Sequence, residues 1–282
     1  MFVGAVTRIL LLICILPQHV AQKPIGEQLH MHVILRTYSG QATTLAGTLS
    51  SIFAAASKAP WLRVSLAILD TGDQDHQLVA MTVRRIVKTL TSVWSKAAGE
   101  APRVHLRRPL EEGASTYGYV ASDRELDRVL GRSASRATEY AKHSPDYVLF
   151  CNGDTFYGSE LFEAARSFMQ GGHGLIGMPW VPHPGHADGE AVMKKYKRCE
   201  FVHGGIDLNS VFISVAALER SQASFAKLPT PCAGPTLAES TPGCRGIDAR
   251  PYWVADYGLI YQVLAGGARA TCLDTRPLFL QN

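Results

Sequence analysis

Charge is scarce in this chain, and long apolar runs are scarcer. Lys, Arg, Asp and Glu make up 18% of the 282 residues, and the formal net charge is +4. That mildly positive balance suits anionic small molecules. Without an extended aromatic-basic stripe it offers nucleic acid no footprint, so no nucleic-acid partner is expected. No apolar run reaches the ~20 residues that a spanning helix needs. There is no Cys-x-x-Cys spacing, which argues against zinc. There is no internal repeat and no low-complexity segment. What remains is an ordinary globular composition, 46% hydrophobic, long enough for one large domain with a full core.

The N-terminus reads as separate from that domain. Arg8 precedes the apolar run Ile9 to Leu16, and Pro17 ends it. A run this short matches the apolar core of a signal peptide, with Ala21 before the candidate cleavage point. Residues 1–21 are therefore expected to be a signal peptide, or a short anchor if Phe2 to Val6 are recruited and nothing is cut. The anchor would tie the chain to a membrane through its N-terminus. Either way the expected location is the secretory pathway, in the ER or Golgi lumen, or outside the cell. Cysteines oxidise there. Cys232 and Cys244 flank a Pro/Gly-rich loop and are the most natural pair, Cys199 with Cys272 is the second choice, and Cys151 reads as a buried thiol.

From residue 31 to 282 the pattern is that of one domain. His32 to Thr37, Trp61 to Leu69 and Arg103 to Leu106 read as strands. Ala42 to Ala56 and Gln77 to Trp94 carry apolar residues at helical spacing. Asp123 to Leu130 and Ser133 to Lys142 read as helices, followed by a strand at Tyr147 to Cys151. That last run is apolar on both faces, bounded by Pro145 and Gly153, as a central parallel strand should be. Alternating strands and helices predict an α/β fold with a mostly parallel central sheet flanked by helices. The second half is less regular. Ser159 to Met169 reads as a helix capped by Ser159, Gly174 to Met178 as a strand, and Gly205 to Ser214 as a strand led by polar residues. Val215 to Arg220 starts a helix. A last helix opens near Asp256 and ends at Gly266-Gly267.

Three strand ends carry polar residues at the same, carboxyl, edge: Arg36-Thr37-Tyr38, Asp70-Thr71-Gly72-Asp73 and Asn152-Gly153-Asp154. Open α/β sheets bind ligands at that edge. Gly153 leaves room for a ligand to approach the backbone. Asp154 is a hard oxygen ligand suited to Mg²⁺ or Mn²⁺ holding a diphosphate.

These residues together resemble a family. Val33-Ile34-Leu35-Arg36-Thr37-Tyr38, followed by Leu45, Leu49 and Ser51-Ile52, is similar to the opening of nucleotide-sugar glycosyltransferases of the A fold type (GT-A). Gly131-Arg132-Ser133-Ala134-Ser135-Arg136-Ala137 and the strand running to Asn152-Gly153-Asp154 resemble that family's Gly…Ala-Arg-Asn helix and its Asp-X-Asp motif. Ile206 to Ile213 is similar to its acceptor-side strand. Asp256 resembles the late acidic residue that acts as base in inverting members. The resemblance covers roughly residues 31 to 275 and rests on the order and spacing of these segments. It implies a single Rossmann-like GT-A domain that moves a sugar from a nucleotide-sugar donor, such as a UDP-sugar, to a hydroxyl of a glycan, protein or lipid.

The same resemblance implies roles for residues. Arg36, Thr37, Tyr38 and Asp70 would face the donor, with Asp70 accepting from the uracil N–H and Thr37 or Tyr38 against the base or ribose. Arg132 and Arg136, four residues apart on one helix face, would face the diphosphate. Asp154 would hold Mn²⁺ or Mg²⁺, with Asn152 contributing its carbonyl oxygen. Asp256 would be the catalytic base, and Asp207 would hold the acceptor hydroxyl. Tyr117, Tyr119 and Asp123 lie in an inserted stretch, where two tyrosines beside Gly118 either stack on a ligand or pack. His183, His186 and His203 lie in a loop that would close over the donor.

The sequence departs from the family at Asn152, an amide where the first Asp of the motif stands, and at Ala137 and Ala255. Two further readings therefore stay open: a catalytically weak or silent carbohydrate- or nucleotide-binding protein on the same fold, and a metal-dependent phosphoesterase built on Asp70, Asp73, Asn152 and Asp154.

Overall fold

β1 (Leu29–Thr37) is the strand around which the sheet forms. The computed structural model describes residues 28–71, 75–95, 98–107, 118–132, 144–181, 199–201, 206–225, 255–274 and 279–281. All nine residues of β1 are buried. They lie between two parallel neighbours, β2 (Leu62–Asp70) and β4 (Tyr147–Asn152). β3 (Arg103–Arg107) pairs with the far side of β2. Beyond β4 lie β8 (Val211–Ser214), β6 (Leu175–Gly177) and β9 (Ala270–Cys272). The order of this seven-stranded sheet is β3-β2-β1-β4-β8-β6-β9, and within it only β8 runs against its neighbours. The run Tyr147 to Cys151 is thus part of the middle strand, as expected.

Helices cover both faces, which is why the central strands are apolar throughout. Side chains alternate along β1 between two cores. Met31, Val33 and Leu35 pack with α1 (Leu45–Ser57), α2 (His76–Ser92) and α4 (Leu161–Gln170). Ile34 joins the opposite core under α3 (Tyr119–Val129), α5 (Val215–Ser221) and α6 (Ala255–Ala265). On that second face His30, His32 and Arg36 are buried polar residues.

The structure corrects several sequence-based expectations. Gly205 to Ser214 is not strand throughout. Asp207 caps a 3-10 turn at Leu208–Ser210, accepting from the Asn209 amide, and β8 starts only at Val211. Ser159 does not cap α4; its hydroxyl bonds the Glu160 carboxylate and accepts from Lys58 instead. The helix expected at Asp123 begins at Tyr119. A small second sheet of β5 (Thr155–Tyr157), β10 (Phe279–Gln281) and β7 (Trp180–Val181), and the short β9, were not foreseen. Two- and three-residue strands carry no readable alternation. The disulfide present is Cys199–Cys272, the second choice, and Cys151 is a buried free thiol. Cys232, Cys244 and the helix expected at 133–142 lie outside the described residues.

One buried polar network ties α3 to the sheet. Ser65 Oγ lies 2.7 Å from His30 Nε2 and 2.8 Å from His32 Nδ1, and His32 Nε2 lies 3.2 Å from Glu125 Oε1. Arg107 donates to both oxygens of Glu125, at 2.8 and 2.7 Å, and Arg128 to Oε2 at 2.6 Å. Burial pushes the Glu125 pKa up, but the bonds from His32 and Arg107 outweigh it and hold the carboxylate well below its usual range. Glu125→Gln removes the charge and leaves these partners uncompensated, and should cost about 3 kcal/mol in urea unfolding at neutral pH. A folded-state pKa below the unfolded value contributes stability above about pH 4.3 that is lost as pH falls further. The variant's stability should therefore fall less steeply than the wild type's below that pH.

Candidate active site

Parallel register brings the polar strand ends together. Arg36 pairs with Asn152 across β1 and β4, and Thr37 with Asp70 across β1 and β2. β8 is antiparallel to β4, so the turn that leads into it, with Asp207 at its head, enters at this same edge. α6 brings Asp256 in its first turn.

Arg36 is the centre of the cluster. It is 6% exposed, its Nε donates to Asn152 Oδ1 at 3.1 Å, and its Nη1 lies 3.8 Å from Asp256 Oδ1. The guanidinium stacks on the Tyr119 ring, 4.9 Å from its centroid. Burial disfavours the charge on Arg36, but Asp256, Tyr119 and Asp207 outweigh that and raise its pKa. Asp207 is pushed up to about 6, first by burial and then by the Asp256 charge; Asn209 and Arg36 pull the other way. The site therefore pairs one fixed cation with two mutually repelling carboxylates, one of which, Asp207, burial holds above the usual carboxylate range.

Asp154 stands on the other side of the Asn152-Gly153 turn. Its Oδ2 accepts from Gln41 Nε2 at 2.8 Å. Gly153 donates its N–H to the Arg36 carbonyl at 2.8 Å. A Cβ at Gly153 would stand 2.5 Å from Thr37 Oγ1 and 3.0 Å from Gln41 Oε1. Thr37 Oγ1, Thr155 Oγ1, Asn209 Oδ1 and Asp256 Oδ1 are buried without a hydrogen-bond partner among the described residues. Buried polar atoms are seldom left so, and their gathering on the elements of this edge marks a site that a ligand or water completes.

No family model matches the chain, and no curated protein matches it in sequence. Solved structures do. S. aureus TarS (residues 1–349) in complex with UDP superposes with a TM-score of 0.50 at 13% identity, over 89% of this chain and 60% of that one. The same protein in complex with UDP-GlcNAc gives 0.49 and 12%, over 89% and 58%. Mannosyltransferase PcManGT from Pyrobaculum calidifontis, in complex with GDP-Man and Mn²⁺, gives 0.48 and 14%, over 89% and 56%. The fold is GT-A-like. The chain spans about three fifths of the length of these solved chains.

On this GT-A-like frame the expected residues divide. Arg36, Thr37, Asn152, Gly153, Asp154, Asp207 and Asp256 come to one edge. Asp70 also ends there, with its Oδ2 2.8 Å from His76 Nδ1. It opens on a cleft of about 930 Å³ between α2 and β3, floored by Val104 and Leu106, with Arg84 and Lys88 among its lining residues. That cleft runs beside the Arg36 cluster rather than over it, and the chemistry points to the cluster. Tyr38 is 47% exposed and follows β1 directly.

Two expectations are corrected. Asn152 is not turned to a cation, because its carbonyl oxygen accepts from the positive Arg36. Arg132 does not reach the edge. α3 begins beside Arg36 and Thr71 at Gly118 and passes Glu125 beside His32. Its eleven residues carry the chain about 16 Å toward the amino edge. There Asp146, just before β4, pairs with the backbone of His30, and Arg132 lies 3.8 Å from Asp127. Arg136, Tyr117, His183, His186 and His203 lie outside the described residues.

Sequence reasoning missed Gln41, and it left Tyr119 undecided between stacking and packing. Nothing in a Ser-Gly-Gln stretch marks Gln41. Tyr119 was findable only as the first helical residue after a glycine. Gly153→Ala should cost about 2 kcal/mol by urea unfolding, because the new methyl meets a short, buried side chain. Adding Thr37→Ala should recover about 1 kcal/mol of that, a coupling that the double-mutant cycle reads directly.

Proposed function

We propose that the chain is a glycosyltransferase that moves a sugar from a nucleotide-sugar donor, a UDP-sugar, to a hydroxyl of a glycan, protein or lipid. One observation carries this reading: the buried Arg36, Asp207 and Asp256 cluster stands beside Gly153-Asp154 at the carboxyl edge of a GT-A-like sheet. The fold shared with a protein solved with UDP supports the choice of donor. The donor lies across the ends of β1 and β2, with Thr37, Tyr38 and Asp70 toward its nucleoside. The acceptor hydroxyl meets Asp256 and Asp207. As the acceptor oxygen bonds the anomeric carbon, the bond from that carbon to the diphosphate breaks and the hydroxyl proton passes to the Asp256 carboxylate. Nucleoside diphosphate leaves. Arg36, with Nη1 3.8 Å from Asp256 Oδ1, offsets the negative charge of that carboxylate.

A hard divalent cation fits Asp154 in part. The carboxylate is the right donor and is held by Gln41, whereas Asn152 is committed to Arg36. Among the described residues no three His, Cys, Asp or Glu side chains gather as a metal cage. Asp154 would then hold the ion jointly with the donor's phosphates. Such an ion supplies positive charge to the leaving diphosphate. The Cys199–Cys272 disulfide supports an oxidising, secretory location, in keeping with the reading of residues 1–21 as a signal peptide or anchor.

Isothermal titration of UDP with and without Mn²⁺, followed by turnover with a panel of UDP-sugars, tests the reading. UDP should bind more tightly with the ion. Asp154→Asn should abolish that gain and lower transfer by at least ~10²-fold, the loss of a few kcal/mol of charge stabilisation. Near-normal Mn²⁺-dependent transfer in Asp154→Ala would remove Asp154 from the role. UDP binding with no turnover on any donor would leave a binding protein.

A further inference from the structure

Gly118 begins α3 with φ +77, and a Cβ there would stand 2.5 Å from Thr71 Cγ2 and 3.3 Å from Arg36 Cδ. Only glycine lets a helix start this close to the end of β1. The first helical residue is then Tyr119, laid over the Arg36 guanidinium. Several contacts fix it. Phe225 packs on the ring at 4.9 Å and in turn meets Phe150 edge-on at 5.6 Å. One turn on, Asp123 accepts from Ser224 Oγ at 3.1 Å and from the Phe225 amide at 2.9 Å. Glu125 anchors the same helix to His32 and Arg107. The same guanidinium has its Nη1 3.8 Å from Asp256 Oδ1, so Tyr119 and Asp256 both lie against Arg36.

We propose that Tyr119 is a positioning residue for Asp256: its hydroxyl donates to the carboxylate while its ring holds Arg36, fixing the orientation and basicity of the group that takes the acceptor proton. The naming of Asp256 as base rests on the transfer reading above. Among the described residues, Arg36 from β1, Tyr119 from α3 and Asp207 from the turn before β8 face Asp256. Arg36 at 3.8 Å is too far for a direct hydrogen bond to Oδ1, and Asp207 repels, which among these groups leaves the phenol as the short-range donor of the proposal. A neutral donor suits a base: it orients the carboxylate and lowers its proton affinity less than a second cation would. Burial and the Asp256 charge both raise the Tyr119 pKa, so the hydroxyl keeps its proton across the working range.

The test is the titration of Asp256 itself, read by carbon-13 NMR of chain labelled at the Asp carboxyl and assigned by loss of the signal in Asp256→Asn. Recording it in Asp207→Asn as well removes the coupled carboxylate. Tyr119→Phe keeps the ring and its contacts and removes only the donor. The Asp256 pKa should rise by about one unit, a tenfold change in proton affinity. The acid limb of the pH–rate profile should move up equally, with UDP affinity within twofold of wild type. Should Tyr119→Phe fail to fold, 3-fluorotyrosine at position 119, a stronger donor of nearly the same size, should move the Asp256 pKa down. An Asp256 titration unmoved by either change overturns the positioning role, whether or not the chain transfers sugar. A shifted titration in a protein without turnover overturns the transfer reading alone.

Discussion

A buried guanidinium is the constraint on which the rest of this site depends. Arg36 sits at the end of a strand whose residues are all buried, where an uncompensated charge would cost several kcal/mol. Compensation comes from four elements: the Asn152 amide on β4, Asp256 on α6, Asp207 on the turn before β8 and the Tyr119 ring on α3. Each must be in its place for the charge to be tolerated. Folding the sheet edge and assembling the chemical groups are therefore the same event.

The two faces of the sheet divide the labour. Under α1, α2 and α4 the core is apolar and contributes mainly burial. Under α3 the same strand presents His30, His32 and Arg36, and the helix answers with Glu125 and Tyr119. Polar contacts are directional where apolar ones are not. They fix how α3 is rotated and how far it is advanced along the sheet, which apolar packing alone leaves looser. The Glu125 network thus acts at a distance on the position of Tyr119.

An amide rather than a carboxylate at Asn152 has a physical consequence here. An aspartate at that position would form an ion pair with Arg36, competing with Asp256 and adding a third negative charge to a site where Asp207 and Asp256 already repel. The amide accepts the Arg36 N–H and brings no charge. On the proposed reading a metal ion would fall to Asp154 alone, whose carboxylate accepts from Gln41 just after β1.

How much of this was legible in the sequence follows from the range of the interactions. Hydrophobic periodicity and doubly apolar runs are local, so the α/β class, the parallel sheet and the central strand at Tyr147 to Cys151 could be read from them. The positions of Arg36, Thr37, Asp70 and Gly153-Asp154 at one edge also followed, because parallel strands share a carboxyl edge by construction. Short strands such as Ala270–Cys272 and Phe279–Gln281 were hidden, since their pairing is decided by partners more than ninety residues away. The choice of Cys199–Cys272 over other pairs, the commitment of Asn152 to Arg36 rather than to a metal ion, the distance of Arg132 from the edge and the meeting of Tyr119 with Arg36 were decided only in three dimensions. Each depends on which way a helix runs or a side chain turns once its element is packed, and sequence spacing carries no record of that direction.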